Sequence, residues 1–214
     1  MLIEKYNPDW VNQFNNIKSQ LEAALSGLEC SIEHVGSTAV PNLDSKPIID
    51  IDIVYPAKPD FEKIKQGLEK IGYYHHGNQG LEGREVFKRS GQWSHEVLDR
   101  IKHHLYVCPI DSKALERHLL SRNHLRKNEW ARIKYQQMKY ELAEQANQDR
   151  KKYQALKELL VNDFIDAIIA AEKNAGTTSP GNSGADRLLN VQHSLNFALR
   201  NASSLKLLFV HSRC

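Results

Sequence analysis

Residues 31–55, SIEHVGSTAVPNLDSKPIIDIDIVY, constrain the fold more than any other segment of the chain. Their pattern predicts a strand, a tight turn at residues 36–38, a short irregular crossing and a second strand over residues 48–54. Asp50 and Asp52 stand among the aliphatic residues of that second strand. Because side chains alternate along a strand with a period of two, both carboxylates are expected to project from the same face.

A carboxylate pair on an aliphatic strand needs compensating positive charge, because burying unpaired carboxylates is unfavourable. Mg²⁺ meets that need, since it is a hard cation that is commonly held by one or two carboxylates together with substrate phosphates. Asp50 and Asp52 are therefore predicted metal ligands. The alternative is an edge strand that carries two ordinary, solvated aspartates.

The predicted turn consists of Gly36, Ser37 and Thr38. Glycine lets the backbone approach a ligand closely, and the two hydroxyl residues offer O–H and N–H donors to anionic oxygens. The turn is therefore a candidate phosphate-binding site, while the same residue types are also favoured in a plain β-turn. Lys46 either neutralises phosphate charge or simply precedes Pro47 at the entrance to the second strand.

Histidines and basic residues outside the turn supply further candidates. His34 ends the first predicted strand and is a metal ligand, a phosphate donor, or a residue that only fixes the turn by hydrogen bonding. Arg84 and Lys88 are candidate phosphate contacts from a neighbouring predicted hairpin. The remaining histidines lack metal-binding spacing and are not expected to be ligands: His75, His76, His95, His118 and His124.

Two motifs resemble the signature of the GrpB family, which is placed in the nucleotidyltransferase superfamily. They are HVGSTAVP, beginning at His34, and KPIIDID, beginning at Lys46. The YNPDW segment at residues 6–10 is similar to the family's opening, and HLYV, beginning at His104, to its later strand. The resemblance covers roughly residues 2–171.

The resemblance implies a Mg²⁺-dependent nucleotide-binding protein, with Mn²⁺ as the other candidate ion, that transfers a nucleotidyl group from a nucleoside triphosphate to an unknown acceptor. Asp50, Asp52 and His104 are the implied catalytic residues. Active nucleotidyltransferases usually carry a third carboxylate where this chain has His104. The histidine therefore either completes the metal site or marks a loss of transfer activity.

Two other functions stay open at this point. The first is a catalytically inactive nucleotide-binding module, which the missing third carboxylate favours. The second is a metal-dependent hydrolase whose Asp/His site consists of His34, Asp50, Asp52 and His104, because imidazole suits borderline metals such as Zn²⁺.

Composition bears on the partners and the cellular location expected for the protein. A net charge of +3 is too small to indicate nucleic-acid binding. No apolar run approaches the length of a membrane helix, and the three widely spaced cysteines form no C-x-x-C pair. We therefore expect a cytoplasmic protein without a membrane partner, and a homodimer stays open.

The predicted fold class is α+β, with a nucleotidyltransferase-like small mixed β-sheet, flanking helices and a helical C-terminal half. An apolar stripe at spacings of three and four predicts the first helix: Trp10, Phe14, Ile17, Leu21 and Leu25. We expect one domain over residues 1–173 and a flexible Gly/Ser/Pro-containing linker over residues 174–186. Residues 187–214 form a tail of unknown role, for which four alternatives stay open: an appended helix and strand, a partner-binding tail, a disordered segment or non-native sequence.

Truncation after Lys173 is expected to leave the melting temperature nearly unchanged, because the linker lacks large apolar residues with which to pack on a core. Thermal unfolding of the truncated and full-length chains measures this. A large drop in melting temperature would place the domain boundary elsewhere.

Overall fold

The computed structural model describes residues 2–56 and 59–177. The chain divides into two compact units, and the first contains Ile3–Arg126. Its strands are β1 (Ser31–Val35), β2 (Ile49–Tyr55), β3 (Tyr73–His75), β4 (Glu85–Arg89) and β5 (His103–Pro109). Its helices are α1 (Asp9–Ala24), α2 (Pro59–Lys70), α3 (Glu96–Arg100) and α4 (Lys113–Lys127), which ends one residue past the unit, and a 3₁₀ turn, Ser37–Ala39, follows β1.

The five strands form one mixed sheet in the order β1-β2-β5-β4-β3. Strand β2 runs antiparallel to β1 and parallel to β5, and β4 runs antiparallel to both β5 and β3. In this register Asp50 lies opposite Val35 on β1 and His104 on β5, while Asp52 lies opposite Glu33 and Tyr106. The sheet thereby aligns the predicted acidic strand with the strand that carries His104.

One face of the sheet is apolar and packs against α1 and α2. Ile49, Ile51 and Ile53 of β2 are fully buried in a cluster with apolar residues of both helices, including Trp10, Ile17, Leu21, Ile64 and Leu68. Burying one such isoleucine contributes about 1.5–3 kcal/mol, so the three together determine which face turns inward. Asp50 and Asp52 therefore share the opposite face, as the alternation predicts.

Helix α4 packs on this second face of the sheet, near the C-terminal ends of β2 and β5. Leu115 forms a small apolar cluster with Val54 of β2 and Cys108 of β5, and Leu119 packs against it. Ser112 begins the helix, because its hydroxyl accepts hydrogen bonds from the N–H groups of Ala114 (3.1 Å) and Leu115 (3.3 Å). The packing of Leu115 and Leu119 brings the polar residues on the next turns of α4 over the acidic positions of β2.

The second unit is helical and comprises α5 (Glu129–Gln145), α6 (Arg150–Leu160) and α7 (Asn162–Thr177). The Asp149 side chain accepts a hydrogen bond from the N–H of Lys152 at 2.7 Å and so begins α6. The rings of Tyr135 in α5 and Phe164 in α7 stack with centroids 6.0 Å apart. Burial raises the pKa of Tyr153 to about 12, because its ionised form is poorly solvated inside the unit.

The predicted fold class is confirmed: the structure is α+β, with a small mixed sheet, flanking helices and a helical C-terminal half. The predicted stripe of the first helix is also confirmed, since all five of its residues are buried. The expected domain over residues 1–173 comprises two units, and α7 ends four residues beyond it, at Thr177. The rest of the expected linker, residues 178–186, and the tail lie outside the described residues.

In the described part of the chain, no helix combines the length and apolarity that crossing a membrane requires.

Candidate functional site

The turn after β1 is built directly against Asp50. Gly36 has φ +72° and ψ −169°, a conformation that is essentially restricted to glycine. A Cβ atom at this position would lie only 2.3 Å from Oδ2 of Asp50. Glycine is therefore required twice, by the backbone conformation and by the close approach of the carboxylate. The two predicted parts of the site, the turn and the acidic strand, are in contact.

His34 supports the turn from the face of the sheet opposite to Asp50, through a hydrogen bond to the turn residue Thr38. His34 lies opposite Ile51 on the apolar face, and its ring stacks on Phe14 of α1 with centroids 4.5 Å apart. Its Nε2 lies 3.0 Å from the Thr38 hydroxyl, which donates in turn to the Ile48 carbonyl at 3.4 Å. The Thr38 hydroxyl donates its own hydrogen to the Ile48 carbonyl, so it accepts from His34, and the ring hydrogen of His34 is assigned to Nε2.

The placement of His34 matches the third of its predicted roles, fixing the turn. Burial lowers the pKa of His34 to about 4, because the charged imidazolium is poorly solvated there. The Thr38 hydroxyl is buried and engaged, which leaves Ser37 as the partly exposed hydroxyl of the turn.

Asp50 forms the more open of two aspartate–histidine pairs. Its Oδ1 lies 2.8 Å from Nδ1 of His104, and the side chains are 30% and 46% exposed respectively. The structure thus brings together Gly36, Asp50 and His104. His104 occupies the position opposite Asp50 on β5, where the resemblance implied that a third carboxylate is usual.

Asp52 forms the second pair, and its partner was not among the candidates from the sequence. Its Oδ2 lies 2.8 Å from Nδ1 of His118 on α4; Asp52 is fully buried and the His118 side chain is 24% exposed. The other oxygen, Oδ1, is buried and has no hydrogen-bond partner among the described residues. A sequence signal for His118 does exist, because it starts a polar stripe with Arg122 and Arg126 at helical spacing.

Arg122 and Arg126 tie α4 to the chain on both sides of the turn. Nη1 of Arg122 donates to Oε2 of Glu33 and to the carbonyl of His34, both at 2.8 Å. Nε of Arg126 donates to the carbonyl of Ala39 at 2.9 Å. Desolvation lowers the pKa of Arg126, and the positive charge of Arg122 adds to that effect. The two arginines therefore attach α4 to both flanks of the Gly36 turn, and the charge of Arg122 is paired with that of Glu33.

The remaining predicted residues lie at the margins of this group. The Arg84 guanidinium stacks over the Tyr106 ring at 4.7 Å, and its Nε is buried without a partner among the residues described. Tyr106 lies opposite Asp52, so Arg84 is next to the second pair. Lys46 lies half-buried in the loop before β2, where its carbonyl accepts from the N–H of Ile48 at 2.8 Å.

The donor set fits a hard divalent cation in its chemistry. Two carboxylates come from alternate residues of one strand, and one buried oxygen, Oδ1 of Asp52, has no hydrogen-bond partner in the described part of the chain. Within residues 2–56 and 59–177, no group of three or more His, Cys, Asp or Glu side chains is arranged to hold a metal ion. Mg²⁺ commonly takes only one or two protein carboxylates and completes its shell with water and substrate phosphates, so two carboxylates are sufficient.

Comparison with known proteins identifies the class. A sequence model of the GrpB protein family matches residues 1–169, and the chain therefore belongs to the GrpB family, as its motifs predict. The UPF0157 protein YqkA of Bacillus subtilis is 28% identical over 181 residues, 85% of this chain. The chain spans about half of that relative's length, 49%.

The solved structure of a GrpB protein agrees with this family assignment. The crystal structure of GrpB from Enterococcus faecalis has 29% sequence identity and a TM-score of 0.64, covering 78% of this chain and 97% of that one. The structure of Cid1 in complex with its short product ApU overlaps more weakly, with a TM-score of 0.45 and 13% identity over 66% of this chain. That weaker likeness supports no conclusion about this chain.

Replacement of Gly36 by alanine is expected to lower the free energy of unfolding by roughly 2 kcal/mol or more, because it adds backbone strain and a clash with Asp50. Gly77→Ala is the matched control: Gly77 has the same φ of +72°, and nothing lies within 4 Å of its added Cβ. Urea unfolding of both variants measures the difference. Equal losses would show that the contact with Asp50 contributes nothing.

The first unit should become less stable as the pH is lowered, because His34 is buried in its neutral form. Its pKa is about 6.5 unfolded and about 4 folded, so between those values the unfolded chain binds more protons. The contribution is fully present above about pH 6.5 and is lost as the pH falls towards 4, on the order of 2–3 kcal/mol. His34→Gln keeps an N–H donor for Thr38 but cannot be protonated.

Urea unfolding of the parent and of His34→Gln at pH 7 and pH 4.5 tests this. The parent should lose more stability than the variant over that interval. Parallel losses would contradict the assignment, since every other titrating group is common to both proteins.

Proposed function

We propose that this protein binds a nucleoside triphosphate with Mg²⁺ and transfers its nucleotidyl group to an acceptor. The observation that carries the proposal is the contact between the Gly36 turn and the Asp50 carboxylate. A turn able to receive phosphates and a strand able to hold their counter-ion are adjacent, which is the arrangement that phosphoryl-transfer sites need. Membership of the GrpB family, with its Gly-Ser and Asp-x-Asp motifs, supports the same assignment.

Each residue has a definite part in this proposal. Gly36 lets the triphosphate approach the backbone closely, and Ser37 offers its hydroxyl to the β- and γ-phosphates. Asp50 and Asp52 would hold Mg²⁺, which supplies neutralisation of phosphate charge. In this proposal Arg84 and Lys46 offset part of the remaining negative charge of the nucleotide. Arg122, which is paired with Glu33, and Arg126 hold the flanks of the turn.

The site contributes mainly positioning and electrostatic stabilisation. The acceptor hydroxyl attacks the α-phosphorus and a P–O bond to the acceptor forms, while the hydroxyl proton is released to water. The P–O bond between the α-phosphorus and the bridging oxygen breaks, and pyrophosphate leaves with that oxygen. Rigid support from His34, Thr38 and the α4 arginines keeps the turn in place during this exchange, because each is hydrogen-bonded to the turn or to its flanks.

A nucleotide-binding module without transfer activity is the second candidate. It is favoured by the Asp50–His104 pair, because an imidazole lies where a third carboxylate would otherwise add negative charge. The structure gives less support to the metal-dependent hydrolase than to the binding module. Its four residues are divided between the two faces of the sheet, with His34 on the apolar face and the other three on the acidic face.

Replacement of both Asp50 and Asp52 by asparagine is expected to abolish the thermal stabilisation produced by Mg²⁺ with a nonhydrolysable ATP analogue. In the parent that stabilisation should reach about 2–3 kcal/mol at a hundredfold excess over the dissociation constant. Asp163→Asn, an exposed acid of the second unit, is the matched control and should behave as the parent does. An unchanged shift in the double variant would remove the proposed metal site.

Pyrophosphate release separates transfer from binding alone. It is measured with ATP, CTP, GTP and UTP in turn, in the presence of a mixture of hydroxyl-bearing acceptors. Binding that depends on Asp50 and Asp52, without pyrophosphate release from any triphosphate, would favour the binding module.

A further inference from the structure

His118 contacts a proposed metal ligand, Asp52, but has no role in the proposed function. It extends from α4 to Asp52, and its Nδ1 lies 2.8 Å from Oδ2 of that fully buried carboxylate. A carboxylate can only accept hydrogen bonds, so the pairing assigns the hydrogen to Nδ1. One oxygen of Asp52 is thereby held by a directed N–H donor from a helix that packs on the sheet.

The other oxygen of Asp52 is in an unusual state for a buried group. Oδ1 has no hydrogen-bond partner among the described residues, although it is shielded from solvent. Buried polar atoms are nearly always paired, and an unpaired carboxylate oxygen is costly in a low-dielectric environment. A purely structural aspartate–histidine pair would be expected to have partners for both oxygens.

The neighbouring pair is arranged in the same way. Oδ1 of Asp50 is held by Nδ1 of His104, while Oδ2 faces the Gly36 turn, where a ligand is proposed to bind. In both pairs the histidine binds one oxygen through Nδ1 and leaves the second oxygen directed elsewhere. For Asp52 that second oxygen is the one that no described residue hydrogen-bonds.

We propose that His118 is a positioning residue for Asp52, which holds Oδ2 so that Oδ1 is directed at a divalent cation. This inference rests on the proposed function, because it assumes that Asp52 is a metal ligand. Ligating groups in metal sites are commonly oriented by hydrogen bonds from a second layer of side chains. A cation reaches Oδ1 only when the side chains that shield Asp52 move, because the atom is not exposed.

Asparagine and glutamine substitutions at His118 separate positioning from simple packing. The amide nitrogen of asparagine falls close to the place of Nδ1, whereas that of glutamine falls closer to the place of Nε2. His118→Asn therefore keeps the N–H donor to Asp52, and His118→Gln displaces it by one methylene with the same functional group. The two variants differ little in polarity, so each serves as the control for the other.

The test is the affinity of each full-length protein for Mn²⁺ in the presence of α,β-methylene-ATP, measured by electron paramagnetic resonance. Its companion measurement is the melting temperature without metal. We expect His118→Asn to bind Mn²⁺ within about threefold of the parent and His118→Gln to bind about 10- to 100-fold more weakly. Equal Mn²⁺ affinity in all three proteins would overturn the positioning role, even if both variants melt at lower temperature.

Failure of this inference can be told apart from failure of the proposed function. If the parent binds Mn²⁺ with the analogue through Asp50 and Asp52, and His118→Gln binds it equally well, only the role of His118 is overturned. If the parent does not bind Mn²⁺ with the analogue at all, the proposed function fails, and the role of His118 fails with it.

Discussion

Strand β2 places isoleucines on one side of the sheet and aspartates on the other, and most of the first unit follows from that alternation. Ile49, Ile51 and Ile53 are buried against α1 and α2, which determines the register of the strand. A slip of one residue would turn Asp50 and Asp52 into the apolar core. The hydrophobic effect thus positions the two carboxylates, although they contribute nothing to it themselves.

Helix α4 then decides how the acidic face is used. Its apolar residues pack on the end of the sheet through Val54 and Cys108, and its polar stripe follows on the next turns. His118 holds Asp52, and Arg122 and Arg126 hold the flanks of the Gly36 turn. One helix therefore supports both parts of the candidate site. A change in its packing should disturb the turn and the acidic strand together.

Much of this arrangement could be predicted from local patterns. The strand-turn-strand segment, the common face of Asp50 and Asp52 and the helical stripe of α1 are all observed, because each depends on periodicity or on residue type at short range. The pairing of His118 with Asp52 was missed, since the two residues lie 66 positions apart. For His34 the sequence left three roles open, and its burial against Phe14 matches the one that braces the turn.

The sequence by itself determined the fold class, the family, the turn and the acidic strand. The alternation of isoleucine and aspartate and the Gly-Ser turn are local features whose physical consequences do not depend on distant contacts. The tertiary structure alone decided which imidazoles meet the two carboxylates, because His104 comes from β5 and His118 from α4. Their approach depends on how the apolar surfaces of the sheet and α4 pack together, which no single segment of the chain specifies.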